Sequence, residues 1–310
     1  MTGASTMGAV VDKVTEITVR VPATSANLGP GYDCFGLALG RFDEITVRPA
    51  ETDRITVVGV GAGRVPTDDR HLVLRSIRRA FEAAGQPPVG VDLQCRNRIP
   101  HGGGQGSSAS AIVSGLLAGR ALLPDPAALT DDDILQLATA VEGHPDNVAP
   151  ALFGGFTLAW MAADGTARAV RRQVHAGVSA LVFTAAAASS TEHTRSILPS
   201  TIPHADAAAN SAAAALLVHA LTDEPSYLME ATRDWLHQRY RAAAMAPSAQ
   251  LVADLREAGI AAVISGAGPS VLALLEPGQQ DRDLSGFDRT GFIADALPIE
   301  QTGASVTIRR

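Results

Sequence analysis

The stretch Val21-Pro22-Ala23-Thr24-Ser25-Ala26-Asn27-Leu28-Gly29-Pro30-Gly31-Tyr32-Asp33-Cys34-Phe35-Gly36-Leu37-Ala38-Leu39 decides how this chain is read. It follows a strand expected over residues 16–21 and passes through small, turn-forming residues into a second apolar run. A loop that places Pro, Ser, Asn, two Gly and Asp so close together shapes backbone and polar contacts rather than filling a core. A plain glycine turn would account for Gly29 and Gly31. It would not account for Thr24, Ser25, Asn27 and Asp33 together.

Working outward, period-2 alternation predicts strands over residues 44–49, 55–60 and 89–98, with a helix over 72–84 between the last two. A helix over 108–122 stops at Pro124 and Pro126. Thr130 is placed to cap the next helix, with Asp131, Asp132 and Asp133 in its first turn as the macrodipole favours, and that helix ends near Glu142-Gly143. Strands are expected at 155–161, 167–173 and 179–184, and helices at 204–221, 226–245 and 248–258. Strands at 261–265 and 271–275 flank a turn at 266–269. Helices and strands mix without strict alternation, which is the α+β class. Residues 1–12 read as a loose tail, and the chain is expected to divide into units over 13–170 and 171–310.

Between a strand and a helix stands His101-Gly102-Gly103-Gly104-Gln105-Gly106-Ser107-Ser108-Ala109. Glycines let backbone N–H groups converge on an anion, and the helix N-terminus behind them adds dipole and free donors. A Walker A loop needs Gly-Lys-Ser/Thr, which is absent. Gly104, Gly106 and Ala109 fit a dinucleotide fingerprint formally, but the second strand and the acid about twenty residues on are missing. Glu142 closes a helix, where a carboxylate opposes the dipole, and Gly143-His144-Pro145-Asp146-Asn147-Val148-Ala149-Pro150 follows. Two arginines stand in distinctive settings, Arg195 in residues 190–199 and Arg241 in residues 234–241; a guanidinium fork suits a carboxylate. Ile264-Ser265-Gly266-Ala267-Gly268-Pro269-Ser270-Val271 is a glycine turn between apolar strands.

These stretches, in this order, closely resemble the signatures of the GHMP small-molecule kinases, and within them the homoserine kinases. The first stretch is similar to Pro-Ala-Thr-Ser-Ala-Asn-Leu-Gly-Pro-Gly-Phe-Asp, and the glycine loop fits Gly-Leu-Gly-Ser-Ser-Ala at all but Gln105. Residues 143–150 match Gly-His-x-Asp-Asn-Val-Ala-Pro. The resemblance implies the two-domain GHMP kinase fold, with an N-terminal half like domain 2 of ribosomal protein S5 and a ferredoxin-like C-terminal half. It implies ATP-dependent phosphorylation of the L-homoserine side-chain hydroxyl, on the way to threonine. The alternatives are another hydroxy-amino acid as acceptor, or a homologue that binds nucleotide without turnover. By the resemblance, Asn27, Asp33, His144, Asn147, Arg195 and Arg241 serve the acceptor. Gly102, Gly103, Gly104, Gly106, Ser107, Ser108, Gly266 and Gly268 surround the ATP phosphates, and Ser108 and Glu142 hold Mg²⁺. A homodimer is implied in the same way. The family tends to have Asn-Leu at a base-contacting position where this chain has His71-Leu72.

The composition reads as that of a soluble globular protein: 310 residues, 46% hydrophobic, 18% charged and a net charge of −7. Without a block of Lys or Arg, nucleic acid is not an expected partner. Cys34 and Cys95 lie in apolar segments and read as reduced thiols of a cytoplasmic protein. No Cys/His spacing resembles a zinc site. No signal peptide is visible, and no apolar run approaches the ~20 residues of a membrane span.

Overall fold

The computed structural model describes residues 14–186, 191–280, 282, 287 and 291–310. The expected tail at residues 1–12 lies outside the described residues.

The first strand, β1 (Glu16–Ala26), runs past the expected end at residue 21 and takes in the first part of the signature stretch. Its opening half alternates, with Ile17, Val19 and Val21 buried, whereas every residue from Val21 onward is buried. The change follows from its partner. β2 (Phe35–Ala50) pairs with β1 antiparallel along both halves, with a register shift between Pro22 and Ala23. Beyond that shift the strand leaves the first core and enters a cluster where Ala23, Leu28, Phe35, Leu37 and Leu39 meet Val182, Leu217, Val263 and Leu272. The signature stretch is thus buried where two sheets meet.

The first sheet continues through β3 (Arg54–Gly59) and β4 (Gly90–Asn97), which pair in parallel across the helix α1 (Leu72–Ala83). α1 buries Val73, Leu74, Ile77, Ala80 and Phe81, a helical spacing. The following helix α2 (Ser107–Leu122) is buried along most of its length and packs against it. A Cβ on Gly115 would stand 2.5 Å from the Val73 carbonyl oxygen and one on Gly119 2.7 Å from that of Ile77, so these glycines set the helix separation. The helix α3 (Asp131–Glu142) opens with the expected cap: Asp133 N–H donates to Thr130 Oγ1 at 3.2 Å, and Thr130 N–H donates to Asp133 Oδ2 at 2.8 Å. A short helix α4 (Val148–Phe153) then forms where the sequence predicts only a loop. The strands β5 (Phe156–Met161) and β6 (Ala167–Arg172) extend the sheet from the start of β2.

The second sheet begins with β7 (Ser179–Ala185), followed by the helices α5 (Thr191–Ser196) and α6 (His204–Thr222). The single helix expected over 226–245 does not form. Instead a 3₁₀ turn (Pro225–Tyr227) leads to α7 (Leu228–Ala231), and a loop separates this from α8 (Gln238–Arg241) and a second 3₁₀ turn (Ala242–Met245). The cause is Asp234: its carboxylate accepts the N–H groups of Leu236, His237 and Gln238, replacing helical carbonyls as their acceptor. The helix α9 (Ala246–Glu257) and the strands β8 (Ala261–Ile264) and β9 (Val271–Leu275) follow. β10 (Phe292–Leu297), which sequence patterning misses, completes an antiparallel sheet ordered β10-β7-β9-β8. Fourth, first, third, second is the ferredoxin-like strand order, and with the mixed first sheet it makes the fold α+β. The strand β11 (Ser305–Arg309) is also missed by patterning. It returns to the first sheet and pairs antiparallel with β1, so the unit expected over 171–310 gives its last strand to the other sheet.

Candidate active site

Three of the sequence signatures interlock around the glycine loop. Gly106 is the N-cap of α2 at φ +69°, and a Cβ there would run into Thr24 Oγ1 of the first signature. Gly104, at φ +71°, would drive a Cβ into the carbonyl oxygen of Ser265 in the last signature. Ser265 Oγ in turn donates to the Gly104 carbonyl at 2.6 Å and lies 2.9 Å from Ser25 Oγ. Gly266 N–H donates to the Ala26 carbonyl at 2.9 Å. The loop is therefore clamped from both sides. α2 has no side-chain cap, so its first N–H groups remain available to a ligand.

A cavity of about 170 Å³ opens over this helix end. Gly102, Gly103, Gly104, Gly106, Ser107 and Ser108 form one wall, and Gly266 and Gly268 another. Asn27, Glu142, His144, Asn147, Arg195 and Arg241 line the rest together with Pro100, Gln105 and Ala267. Asp33 alone among the expected site residues is not on the wall; it holds one that is. Arg195 Nη1 and Nη2 donate to its two carboxylate oxygens at 2.7 and 2.8 Å, a fork-on-fork pair. Asn27 and Asp33 are also the positive-φ residues other than glycine among the described residues, at 53° and 52°. Asn27 Oδ1 accepts the N–H of Asp33 at 2.8 Å, so one strained residue locks the other.

Arg241 is 2% exposed yet reaches the cavity. Its Nε donates to the Thr194 carbonyl at 2.9 Å and its Nη1 to His237 Nδ1 at 3.3 Å. His237 is fully buried, and its Nε2–H donates to the Gly29 carbonyl at 2.9 Å; burial pushes its pKa down, which favours this neutral form. The guanidinium groups of Arg195 and Arg241 stand 5.5 and 5.4 Å from the centre of the Tyr32 ring, which spaces two like charges at one end of the cavity.

At the other end, Ser108 Oγ in the first turn of α2 donates to Glu142 Oε2 at 2.7 Å. Glu142 is the last residue of α3, and burial pushes its carboxyl above the ordinary range against the opposing Ser108 hydrogen bond. His144 Nδ1 lies 2.5 Å from Oδ1 of the buried Asp146; that hydrogen bond raises the imidazole pKa and favours the cation. Asn147 Oδ1 accepts from Thr24 Oγ1 at 2.8 Å, which leaves its amide NH₂ as the donor for a cavity ligand.

A second cavity, of about 270 Å³, shares Ser107 and Ser108 with the first. Val65, Pro66, Leu72 and Val73 give it apolar walls, and Asn97 and His71 give it polar points. His71 is the N-cap residue of α1 and makes no side-chain cap bond; its buried Nδ1 has no hydrogen-bond partner among the described residues.

Sequence reasoning missed some supporting residues. Thr24, Tyr32, Asp146 and Ser265 stand inside stretches already singled out, where a polar or aromatic residue in a tight loop was the available signal. Arg41, whose guanidinium accompanies Gln105, stands in no motif.

The chain matches the models for the GHMP kinases N terminal domain over residues 71–155 and the GHMP kinases C terminal domain over residues 212–291. It is 50% identical to the homoserine kinase of Streptomyces avermitilis over 94% of this chain and 95% of that one. It is 53% identical to that of Clavibacter michiganensis over 85% of this chain and 84% of that one. The crystal structure of homoserine kinase from Cytophaga hutchinsonii superposes with a TM-score of 0.81 at 27% identity, covering 94% of this chain and 97% of that one. Two family models in order, half the residues shared along nearly the full length, and a common arrangement of both sheets place the chain in the homoserine kinase family of the GHMP kinases.

Proposed function

We propose that the chain transfers the γ-phosphoryl group of ATP to the side-chain hydroxyl of L-homoserine, giving O-phospho-L-homoserine and ADP. The observation that carries this reading is the joining, in one cavity, of an uncapped helix end with two arginines, one of them held by Asp33 just behind the wall, a set suited to an amino-acid zwitterion.

The glycine loop and the first N–H groups of α2 receive the phosphates, with Ser107, Gly266 and Gly268 at their flanks. The cavity beside His71 receives the nucleoside, whose base is flanked by apolar side chains and meets the unpartnered His71 Nδ1. In the free chain Asp33 and Arg195 satisfy one another. A zwitterionic substrate replaces that one ion pair with two: its ammonium group lies on Asp33 beside Asn27, and its carboxylate on Arg195 and Arg241. The hydroxyl is then directed to the Asn147 amide and toward the loop, with the His144 cation facing the incoming negative charge. Orientation and charge neutralisation, rather than a covalent intermediate, drive a transfer of this kind.

The donor set also fits Mg²⁺. A serine hydroxyl and a carboxylate, both hard oxygen ligands, stand 2.7 Å apart beside the phosphate loop. Among the described residues no group of three or more His, Cys, Asp or Glu side chains could hold a metal alone, so in this reading phosphate oxygens complete the shell. When bound there, Mg²⁺ neutralises the β- and γ-phosphate charge. The proposal includes a cytoplasmic enzyme, in keeping with its two free cysteines, and a homodimer, which sedimentation velocity tests.

The decisive assay is ADP release with Mg·ATP and L-homoserine, L-threonine, L-serine or D-homoserine. L-Homoserine is expected to dominate. Preferential turnover of another acceptor would reassign the substrate, and absence of turnover with all four would remove the activity.

A further inference from the structure

Gln105 is an oddity within the glycine loop. It stands where the family motif carries leucine, it is 0% exposed, and its side-chain amide is fully engaged. Oε1 accepts from Arg41 Nη1 at 2.7 Å, and Nε2 donates to Thr184 Oγ1 at 2.9 Å. Arg41 Nη2 pairs with Asp295 Oδ2 at 2.6 Å. The Gln105 carbonyl also accepts the N–H of Thr24 at 3.1 Å. Arg41 belongs to β2 in the first sheet, while Thr184 and Asp295 belong to the paired strands β7 and β10 of the second. Arg41 Nη1 also donates to Thr184 Oγ1 at 3.4 Å, so the buried Gln105 side chain ties the phosphate loop to both sheets through a part-buried polar network.

We propose that Gln105 is a positioning residue: its amide fastens the phosphate loop to the second sheet and so fixes the loop N–H groups for the nucleotide phosphates. This rests on the reading of the loop as a phosphate site. A leucine fills similar space but makes neither bond, and it leaves Arg41 Nη1 and Thr184 Oγ1 without their amide partner. A loop held by packing alone has more conformations to lose when phosphate binds, which weakens binding. The network also makes the position sensitive to chemistry as well as size.

The test is calorimetric titration with ADP, without any acceptor, on the wild-type chain and on Gln105→Leu and Thr184→Val. Gln105→Leu is expected to raise the ADP Kd by roughly 2- to 30-fold, the range for coupling residues. Thr184→Val, which alters the far partner and leaves the loop sequence intact, should move the Kd in the same direction as Gln105→Leu and covers the case in which that variant does not fold. In steady state the loss should appear in the KM for ATP while the acceptor KM stays constant. Wild-type ADP affinity in both Gln105→Leu and Thr184→Val would overturn the proposal. Absence of ADP binding by the wild-type chain would instead overturn the phosphate-site reading beneath it.

Discussion

Replacing Glu142 with glutamine should raise stability while it removes activity. Glu142 sits at the C-terminal end of α3, where the helix dipole is negative, and burial already pushes its carboxyl upward. A neutral amide there escapes the dipole and the cost of desolvating a charge, a gain of about 0.3–1 kcal/mol. The neighbouring His144 cation offsets part of that gain. Glutamine still accepts from Ser108 Oγ, so the contact between α2 and α3 is kept. In a chain of 310 residues the net effect amounts to a Tm higher by on the order of 1–2 °C. The cost falls on catalysis. On the proposed role of Glu142 in holding Mg²⁺, its loss is expected to cost on the scale of one preorganised group at the site, ~2.7–4 kcal/mol or about 10²- to 10³-fold in kcat. Differential scanning fluorimetry of the nucleotide-free protein reads the first quantity, and initial rates over a Mg²⁺ titration read the second. A variant with wild-type kcat and unchanged Mg²⁺ dependence would return Glu142 to an ordinary helix end. A lower Tm would refute the dipole argument.

Further predictions concern the acceptor end and the buried acids. Arg241→Met should raise the amino-acid KM by roughly 10- to 150-fold, the loss of a hydrogen bond to a charged group of ~1.5–3 kcal/mol, with the KM for ATP nearly constant. An unchanged amino-acid KM would remove Arg241 from the site. Asp43 is buried and accepts the N–H groups of Arg98 and Ile99 on one oxygen, and burial raises its pKa. The native state therefore holds its proton more tightly than the unfolded chain, so stability falls as pH rises from the ordinary aspartate value of about 4 through the raised native pKa. Asp43→Asn can keep both bonds and carries no charge. Its Tm should exceed wild type at pH 7 and lose that part of the pH dependence; equal Tm profiles from pH 4 to pH 7 would exclude this account.

The site was more legible in the sequence than the elements that frame it, for physical reasons. A phosphate loop needs glycines at positive φ, and Gly104 and Gly106 occupy positions where a Cβ would strike backbone or Thr24. Such requirements leave a local record. The breaks within residues 226–245 depend on where Asp234 places its carboxylate, and an alanine-rich stretch with good helix propensity hides that competition. α4 is short and carries Pro150 within it, so periodicity has little to act on. β10 and β11 are largely exposed, and without a buried face a strand shows little alternation. The mutual pairing of Asp33 and Arg195 lay outside sequence reasoning altogether, because 162 residues separate them and only the folded chain sets one against the other.

The return of β11 to β1 has a bearing on how the protein is made. Glu16 pairs with Arg309, so β1 waits for a partner synthesised 293 residues later. Until then β1 presents an unpaired edge, which another nascent chain is chemically free to occupy. Completion of the first sheet thereby depends on the widest sequence separation between paired strands in the described structure.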